Sequence, residues 1–198
     1  MIVKNIEELK TPCDPVSSFN FGEGEEIGVR LLNELSKSEN GIGLAANQIG
    51  INKRVCVINV KEPIVLVNPK IVEHSKEEFV FPEACLSFPD DKIKTRRYVS
   101  IKVTADNYDG QTLSFSADSK EVNDAFECVA VQHEIDHLDG ITMFDREFKQ
   151  EPIKRGVNAP PKIGRNEKVT ITDGTQTRVI KYKKAVPLLQ SGTWRINA

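Results

Sequence analysis

Two histidines four residues apart lie in the stretch Gln132-His133-Glu134-Ile135-Asp136-His137-Leu138-Asp139-Gly140. On an α-helix, residues with this spacing share one face, so both imidazoles could bind a single metal ion. Glu134 would lie beside the first histidine, where a carboxylate can take a proton from a water that the metal activates. The H-E-x-x-H pattern therefore predicts a helix that supplies two metal ligands and a general base.

The residues on either side favour a helix here. Asp124 is expected to cap its start, with Glu127 as the partner in a capping box, and Gly140 is typical of the position after a last turn. Other residues at helical spacing extend the face of the two histidines, namely Phe126, Val129 and Ala130. A chance match on an ordinary amphipathic helix, with buried and hydrogen-bonded histidines, is the alternative at this point.

The composition is that of a soluble globular protein. The chain has 198 residues, of which 39% are hydrophobic and 28% charged, which suits one domain, or one domain with an appendage. No apolar run is long enough for a membrane span, and the N-terminus does not resemble a signal peptide. We expect a cytoplasmic protein, or its equivalent in an organelle or a virus-infected host, with neither a membrane nor DNA as a partner.

Four cysteines occur, and none is close to another in sequence: Cys13, Cys56, Cys85 and Cys128. There is therefore no C-x-x-C motif, and without a secretion signal a disulfide framework is not expected.

Charge is distributed unevenly along the chain. Residues 1–150 carry 17 Lys and Arg against 26 Asp and Glu, whereas residues 151–198 carry 10 against 3. The basic C-terminal segment either folds against the acidic remainder, which we favour, or contacts an acidic partner such as ribosomal RNA.

The order of predicted elements indicates an α+β fold. A helix over 27–36 is followed by predicted strands over 54–60, 64–68, 71–81, 94–106 and 112–117, and then by the histidine helix. We expect antiparallel β-sheets packed around a central metal-binding helix, within a catalytic domain over 1–150. Residues 1–25 are predicted to be irregular.

The C-terminal part is predicted to be a separate, smaller element. Residues 151–166 have the composition of a Pro/Gly linker. Residues 167–198 are expected to form a basic, β-rich appendage of unknown role. Its hairpin would have strands over 168–172 and 177–181 around Asp173-Gly174, followed by a helical turn over 185–190 and a short strand over 193–196.

A catalytic metal usually has three protein ligands and one open position, so a third ligand is needed. In the metalloprotease pattern H-E-x-x-H-x-x-G-x-x-H the third ligand is the last histidine, but this position holds Met143. In another class it is a glutamate further downstream. Glu147 and Glu151 follow the helix too closely for that role, and Glu167 lies in the appendage.

A better candidate lies upstream, where the chain resembles the peptide deformylases. That family combines G-Φ-G-Φ-A-A-x-Q (Φ apolar), E-G-C-L-S and Q-H-E-x-D-H. Here the motifs read, in the same order, Gly41-Ile42-Gly43-Leu44-Ala45-Ala46-Asn47-Gln48, Glu83-Ala84-Cys85-Leu86-Ser87 and Gln132-His133-Glu134-Ile135-Asp136-His137. Three motifs are far more specific than one, and the resemblance covers roughly residues 1–150. Ala84 replaces the usual glycine, which would cause strain if that position needs a positive φ and would matter little otherwise.

The resemblance implies roles for individual residues. Cys85 would be the third ligand beside His133 and His137, and Glu134 would move the proton. The Gln48 side-chain amide and the Leu86 backbone N–H would stabilise the oxyanion. Gly41 and Gly43 would let the backbone approach the substrate, which could then bind as an added strand.

The resemblance also implies the reaction, which is removal of the formyl group from the N-terminal formyl-methionine of new polypeptides, with release of formate. Ile42, Phe126 and Val129 would form the pocket for the methionine side chain, or they could be ordinary core residues. One divalent ion is expected. Cys and His ligands alone suggest Zn²⁺, whereas the resemblance implies Fe²⁺ in the cell, with Zn²⁺, Ni²⁺ or Co²⁺ in a purified sample. The alternatives are a zinc endopeptidase and a metal-stabilised binding module without activity.

Overall fold

The computed structural model describes residues 1–17, 21–109, 111–118, 121–149 and 163–197. The chain forms two compact units, Met1–Gln150 and Glu151–Ala198, and each has its own hydrophobic core. Most of the predicted linker over 151–166 lies outside the described residues, so the predicted domain bounds stay predictions. Within the described ranges, no helix combines the length and apolarity that a bilayer crossing needs.

The first unit combines helices with antiparallel strands. Its helices are α1 (Ile6–Leu9), α2 (Phe21–Leu35) and α3 (Val122–Leu138). Its strands are β1 (Gly43–Ala45), β2 (Val55–Asn59), β3 (Pro63–Val67), β4 (Lys70–His74), β5 (Glu78–Cys85), β6 (Phe88–Tyr98), β7 (Ser100–Thr104) and β8 (Thr112–Ser116). The sheets have the orders β1-β2-β3, β4-β7-β8 and β5-β6, and every pairing is antiparallel. The predicted α+β class is confirmed.

Strand β2 lies between two helices. Val55 and Val57 belong to the core that α2 forms with the sheet, whereas Cys56 and Ile58 belong to the core around α3. Both faces of β2 are therefore buried over residues 55–58, which explains why these four residues are all apolar instead of alternating with polar ones.

Helix α2 begins at Phe21, earlier than the predicted start at residue 27, and the short helix α1 also lies in the region predicted to be irregular. Gly24, which precedes the predicted start, explains the difference for α2, and Gly28 makes a similar contact within the predicted helix. A Cβ atom on Gly24 would lie 2.8 Å from the side chain of Val67, and one on Gly28 would lie 2.4 Å from that of Val65. These glycines let α2 lie close against β3, although glycine in a sequence favours a break in a helix.

Helix α3 occupies the centre of the unit, and every residue from Glu127 to Leu138 is buried. Its start corrects one prediction. The N-cap is Glu121, whereas Asp124 lies within the first turn and pairs with Lys61, which also binds Glu127 at 2.8 Å. The predicted capping box is therefore wrong. Lys61, from the turn between β2 and β3, forms ion pairs with both Asp124 and Glu127 instead. The predicted end is confirmed, since Gly140 follows the C-cap with φ of +72°.

Two predicted strands are divided in the structure. Residues 94–106 form parts of β6 and β7 with a break at Val99, and residues 71–81 form most of β4 and the start of β5. The side chain of Gln132 accounts for the first break. Its Oε1 accepts a hydrogen bond from the Tyr98 N–H (2.9 Å), and its Nε2 donates to the Tyr98 carbonyl (3.0 Å). A helix side chain thus supplies the hydrogen bonds that a neighbouring strand would otherwise make.

The second unit contains β9 (Lys168–Thr172), β10 (Thr177–Lys181), α4 (Tyr182–Gln190) and β11 (Arg195–Ile196). The sheet order is β10-β9-β11, and the pairing of Thr172 with Thr177 confirms the predicted hairpin. Helix α4 is longer than the helical turn predicted over 185–190. The buried residues Val169, Ile171 and Ala185 form its core.

Candidate active site

Three potential metal ligands meet at the centre of the first unit. The ligand atoms of Cys85, His133 and His137 lie within 4.8 Å of one another, and all three residues are buried. Cys85 Sγ is 3.3 Å from His137 Nε2, and the two imidazole centroids are 4.8 Å apart. One sulfur and two imidazoles in this arrangement fit a divalent transition-metal ion.

Local structure explains how Cys85 reaches the helix. It is the last residue of β5, and because side chains on alternate residues of a strand point to the same face, Cys85 lies on the face of the buried Glu83. The register shift next to it leaves the extra residues on β6, since Ala84 pairs with Lys92 and Cys85 with Phe88. Ala84 does not have a positive φ, so alanine is accommodated without strain in place of the glycine that the family usually has.

The two histidines have different surroundings. His133 Nδ1 is 2.7 Å from Glu83 Oε2, which leaves its Nε2 for a metal. Burial lowers the pKa of His137 well below its usual range, and the charges of His133 and Arg97 lower it further. The His137 ring is therefore neutral, which is the form that binds a metal.

Behind His133 lies a buried network of charges that the sequence did not reveal. Arg97 binds both oxygens of Glu83, with Nη2 to Oε2 at 2.9 Å, and it also binds Asp136. Arg146, whose own side chain is exposed, binds the other oxygen of Asp136 at 2.8 Å from the edge of this network. Burial alone would raise the pKa of Glu83, but hydrogen bonds from His133 and Arg97 hold it well below its usual range. The network fixes the orientation of the His133 ring.

Glu134 points into the site from the same helix. It is 4% exposed, and its Oε2 has no hydrogen-bond partner among the described residues. Burial raises its pKa to about 7, with the negative charge of Glu83 adding to the rise. A carboxyl group with such a pKa can both accept and donate a proton near neutral pH.

Gly43 is adjacent to this carboxylate. A Cβ atom at Gly43 would lie 2.6 Å from Glu134 Oε1 and 2.9 Å from Glu134 Cγ. A Cβ atom at Gly41 would instead meet the Leu35 side chain at 2.6 Å and Ser38 at 3.2 Å. Neither glycine has a positive φ, so both are required for space and not for backbone conformation.

Gln48 is held in one orientation. Its Oε1 accepts from the Ala45 N–H at 2.8 Å, so its Nε2 faces Ser87 Oγ at 3.2 Å and Cys85 Sγ at 3.4 Å. Leu86 follows Cys85 in the turn between β5 and β6. The structure therefore brings Gln48 to the sulfur ligand and places the Leu86 N–H one residue after it.

The predicted methionine-pocket residues differ in burial. Ile42 is 37% exposed and Phe126 40% exposed, whereas Val129 is only 4% exposed. The ring of Phe81, which the sequence analysis did not single out, packs edge-on against Phe126 with centroids 5.2 Å apart. The sequence could have indicated Phe81, because side chains alternate along β5 and Phe81 therefore lies on the same face as Cys85.

Known proteins are similar to this chain in sequence and in fold. The family model described as polypeptide deformylase matches residues 2–152. The chain belongs to this family. A peptide deformylase of Heliobacterium modesticaldum is 40% identical over 148 residues, which is 73% of this chain and 90% of the relative.

Solved deformylase structures agree. That of Thermotoga maritima matches with a TM-score of 0.63 and 32% identity, covering 75% of this chain and 97% of the other. The structure from Acinetobacter baumannii with bound Met-Ala-Ser matches with a TM-score of 0.62 and 30% identity. The match covers 74% of this chain and 96% of the other. The chain is thus a metal-dependent deformylase that removes the N-terminal formyl group of nascent polypeptides, which decides against the endopeptidase and the inactive binding module.

Proposed function

We propose that Cys85, His133 and His137 hold the divalent ion of this deformylase. The convergence of their ligand atoms within 4.8 Å is the observation that carries the proposal. When bound, the ion supplies Lewis-acid polarisation of the formyl carbonyl and lowers the pKa of water. The chain's own side chains then have to move the proton, stabilise the oxyanion and position the peptide.

Glu134 is the proton carrier in this proposal. Its carboxylate accepts a proton from the attacking water as the new carbon–oxygen bond forms, and it passes that proton to the amine nitrogen as the carbon–nitrogen bond breaks. The products are formate and a free N-terminus. The burial of Glu134 and its free Oε2 support this role.

Gln48 and Leu86 stabilise the negative charge that develops on the formyl oxygen. The Gln48 amide is pre-oriented by the Ala45 N–H, so it need not reorganise during the reaction. Removing one such donor typically costs about 10²–10³ in kcat. Gln48→Ala is expected to lose this much activity, whereas Asn52→Ala, which removes a solvent-exposed side-chain amide, serves as the control.

The substrate main chain binds along the free edge of β1. The Asn59 N–H donates to the Ile42 carbonyl at 2.8 Å, so Ile42 and Leu44 direct their backbone groups towards β2. In an antiparallel ladder the intervening residue directs its groups the other way. The N–H and carbonyl of Gly43 are therefore available to a peptide that adds as an extra strand.

The methionine side chain of the substrate contacts Ile42 and Phe126. Both side chains are partly exposed, so a ligand can reach them, whereas Val129 is buried. Phe126→Ala is expected to raise KM for a formyl-methionyl peptide more than for a formyl-alanyl peptide. Equal changes for both peptides would assign Phe126 to the core instead.

Fe²⁺ is the proposed ion in the cell, with Zn²⁺, Ni²⁺ or Co²⁺ as replacements during purification. A thiolate ligand such as Cys85 would make an iron site sensitive to oxygen.

The cytoplasm, or its equivalent in an organelle or infected host, is the proposed location, because nascent chains are made there. A contact between the ribosome and the basic residues 151–198 stays the less favoured of the two interpretations of the uneven charge. Co-sedimentation of the full chain and of residues 1–155 at two salt concentrations tests this contact, and equal binding would dismiss it.

The central experiment is anaerobic purification, metal analysis and a formate-release assay with formyl-Met-Ala-Ser. Glu134→Gln is expected to retain the metal and lose nearly all turnover, because it removes the proton carrier without removing a ligand. Glu77→Gln, which changes an exposed glutamate, is the matched control. Substantial turnover by Glu134→Gln would remove that residue from the mechanism.

A further inference from the structure

Asn47 occupies the unspecified position of the first motif, between Ala46 and Gln48. The residue is only 8% exposed, although asparagine is mostly found at the protein surface. It lies in the short 3₁₀ helix Ala46–Ile49, where its own carbonyl accepts a hydrogen bond from the Gly50 N–H at 3.1 Å. Because a buried amide needs hydrogen-bond partners, the contacts of this side chain indicate what it does.

One partner of Asn47 is the main chain of a proposed metal ligand. Asn47 Nδ2 donates to the His137 carbonyl at 2.7 Å, across 90 positions of sequence. His137 lies in the last turn of α3, and the last carbonyls of a helix have no partner within the helix itself. The Gly140 N–H also donates to this carbonyl, but at 3.2 Å. Asn47 therefore holds the backbone from which the His137 ring projects.

Two further atoms of the same two residues are buried and have no hydrogen-bond partner among the described residues. They are Asn47 Oδ1 and His137 Nδ1. His137 Nε2 is 3.3 Å from the Cys85 sulfur, so this nitrogen is the one placed for a metal. A neutral ring that binds through Nε2 carries its proton on Nδ1. The two atoms are thus an acceptor and a donor, and buried groups of this kind are commonly joined by an ordered water.

The neighbouring residue of the 3₁₀ helix contacts a different ligand. Gln48 Nε2 is 3.4 Å from Cys85 Sγ. Successive side chains on a 3₁₀ helix point about 120° apart, so Asn47 and Gln48 can reach different partners. Two consecutive residues of the first motif therefore contact ligands that come from the second and the third motif.

We infer that Asn47 is the positioning residue of His137, as Glu83 is of His133. Its Nδ2 fixes the main chain of the ligand, and its Oδ1 accepts the Nδ1–H proton through one buried water. The inference rests on the proposed ligand set of Cys85, His133 and His137. A ligating histidine whose second nitrogen has a partner keeps its ring orientation and is a more basic ligand.

The test measures the binding of Co²⁺ alone to the full chain. Affinity is measured by competition with a chromophoric chelator, and ligand geometry by the absorption spectrum of the cobalt-loaded protein. Asn47→Leu removes both the donor and the acceptor at similar volume. Asn47→Asp keeps an acceptor and loses the amide donor. Melting temperatures show how stable each variant is.

Asn107→Leu is the matched control. Asn107 also binds main chain with both ends of its amide, since it donates to the Val65 carbonyl at 2.9 Å and accepts from the Val67 N–H at 3.1 Å. Neither partner is a proposed ligand. This variant is expected to lower the melting temperature and to keep the wild-type affinity for Co²⁺ and the wild-type spectrum.

The wild-type chain is expected to show a thiolate-to-cobalt charge-transfer band from Cys85. Asn47→Leu should bind Co²⁺ about 10- to 100-fold more weakly. Its visible d–d bands should shift, because the His137 ring is no longer fixed, while the charge-transfer band remains. Asn47→Asp should shift the same bands and lose less affinity than Asn47→Leu, because an acceptor for Nδ1–H is still present.

Three results would overturn the inference. The first is wild-type Co²⁺ affinity and d–d bands in Asn47→Leu, or in Asn47→Asp if the leucine variant does not fold, which would leave Asn47 a purely structural residue. The second is equal weakening in the two Asn47 variants, which would exclude Oδ1. The third is equal weakening in Asn107→Leu, which would show that affinity follows stability. A wild-type chain without the charge-transfer band would instead contradict the proposed ligand set, so the two failures are distinguishable.

Discussion

Gly43→Ala is a small change with a large expected effect on catalysis. The added methyl carbon would lie 2.6 Å from Glu134 Oε1, whereas ordinary contacts begin at 3.4 Å. The carboxylate must therefore withdraw by about 0.8 Å, and a misplacement of about 1 Å can cost about 10²-fold in rate. We expect kcat to fall about 10²-fold, which is within the range of about 10²–10⁴ that general acid–base catalysis supplies.

Substrate binding should be nearly unaffected. The methyl group points at Glu134, while the N–H and carbonyl of Gly43 stay at the free edge of β1. Since the φ angle of Gly43 is not positive, the backbone accepts alanine, and the strain of the substitution is confined to its contact with the Glu134 side chain. The expected pattern is a lower kcat with little change in KM, in metal content or in affinity for the product Met-Ala-Ser.

The assay is steady-state formate release under anaerobic conditions, with product affinity measured by calorimetry. Gly22→Ala is the matched control, because a Cβ atom there meets nothing within 4 Å. If Gly43 serves instead to bring the backbone close to substrate, the variant will show a raised KM and weaker product binding with kcat intact. That result would refute the assignment of Gly43 to the space around Glu134.

Three further predictions test other parts of the first unit. Glu83→Gln removes the anionic partner of His133 Nδ1, so metal affinity should fall about 10- to 100-fold in competition with a chromophoric chelator; unchanged affinity would exclude this role. Hydrogen bonding by the backbone N–H of Thr142 lowers the pKa of Asp145 below its ordinary 3.8. The stability that this carboxylate contributes is therefore present above pH 3.8 and lost as the pH falls further. Asp145→Asn should lower the melting temperature near neutral pH, and the difference from the wild type should shrink as the pH falls below 3.8. Melting temperatures of the two proteins that change in parallel with pH would contradict this. Burial raises the pKa of the Cys128 thiol to about 11, so native protein at about pH 8 should resist iodoacetamide at this residue, as mass spectrometry can show.

The features predicted correctly depend on short stretches of sequence. The histidine pair on α3 follows from a spacing of four residues, and the hairpin around Asp173-Gly174 follows from turn chemistry. Motifs identified Cys85 although it lies far upstream, because a resemblance carries spatial information that periodicity lacks.

The missed features depend on contacts between distant parts of the chain. Arg97 reaches Glu83 across 14 positions and Asp136 across 39, and no local pattern pairs them. The early start of α2 was missed because Gly24 resembles a helix breaker until β3 is seen against it. The incorrect cap at Asp124 has the same origin, since its partner Lys61 comes from another turn.

The ion network of Glu83, Arg97 and Asp136 consists of contacts between protein side chains. In small zinc domains, by contrast, folding and metal uptake are a single event. Because Glu83 contacts Nδ1 of His133, a protein side chain orients this ring, and we expect treatment with EDTA to yield a folded apoprotein that takes up a new ion without refolding. Different divalent ions can then bind the same three ligands, and the ion that occupies the site depends on which one is most available.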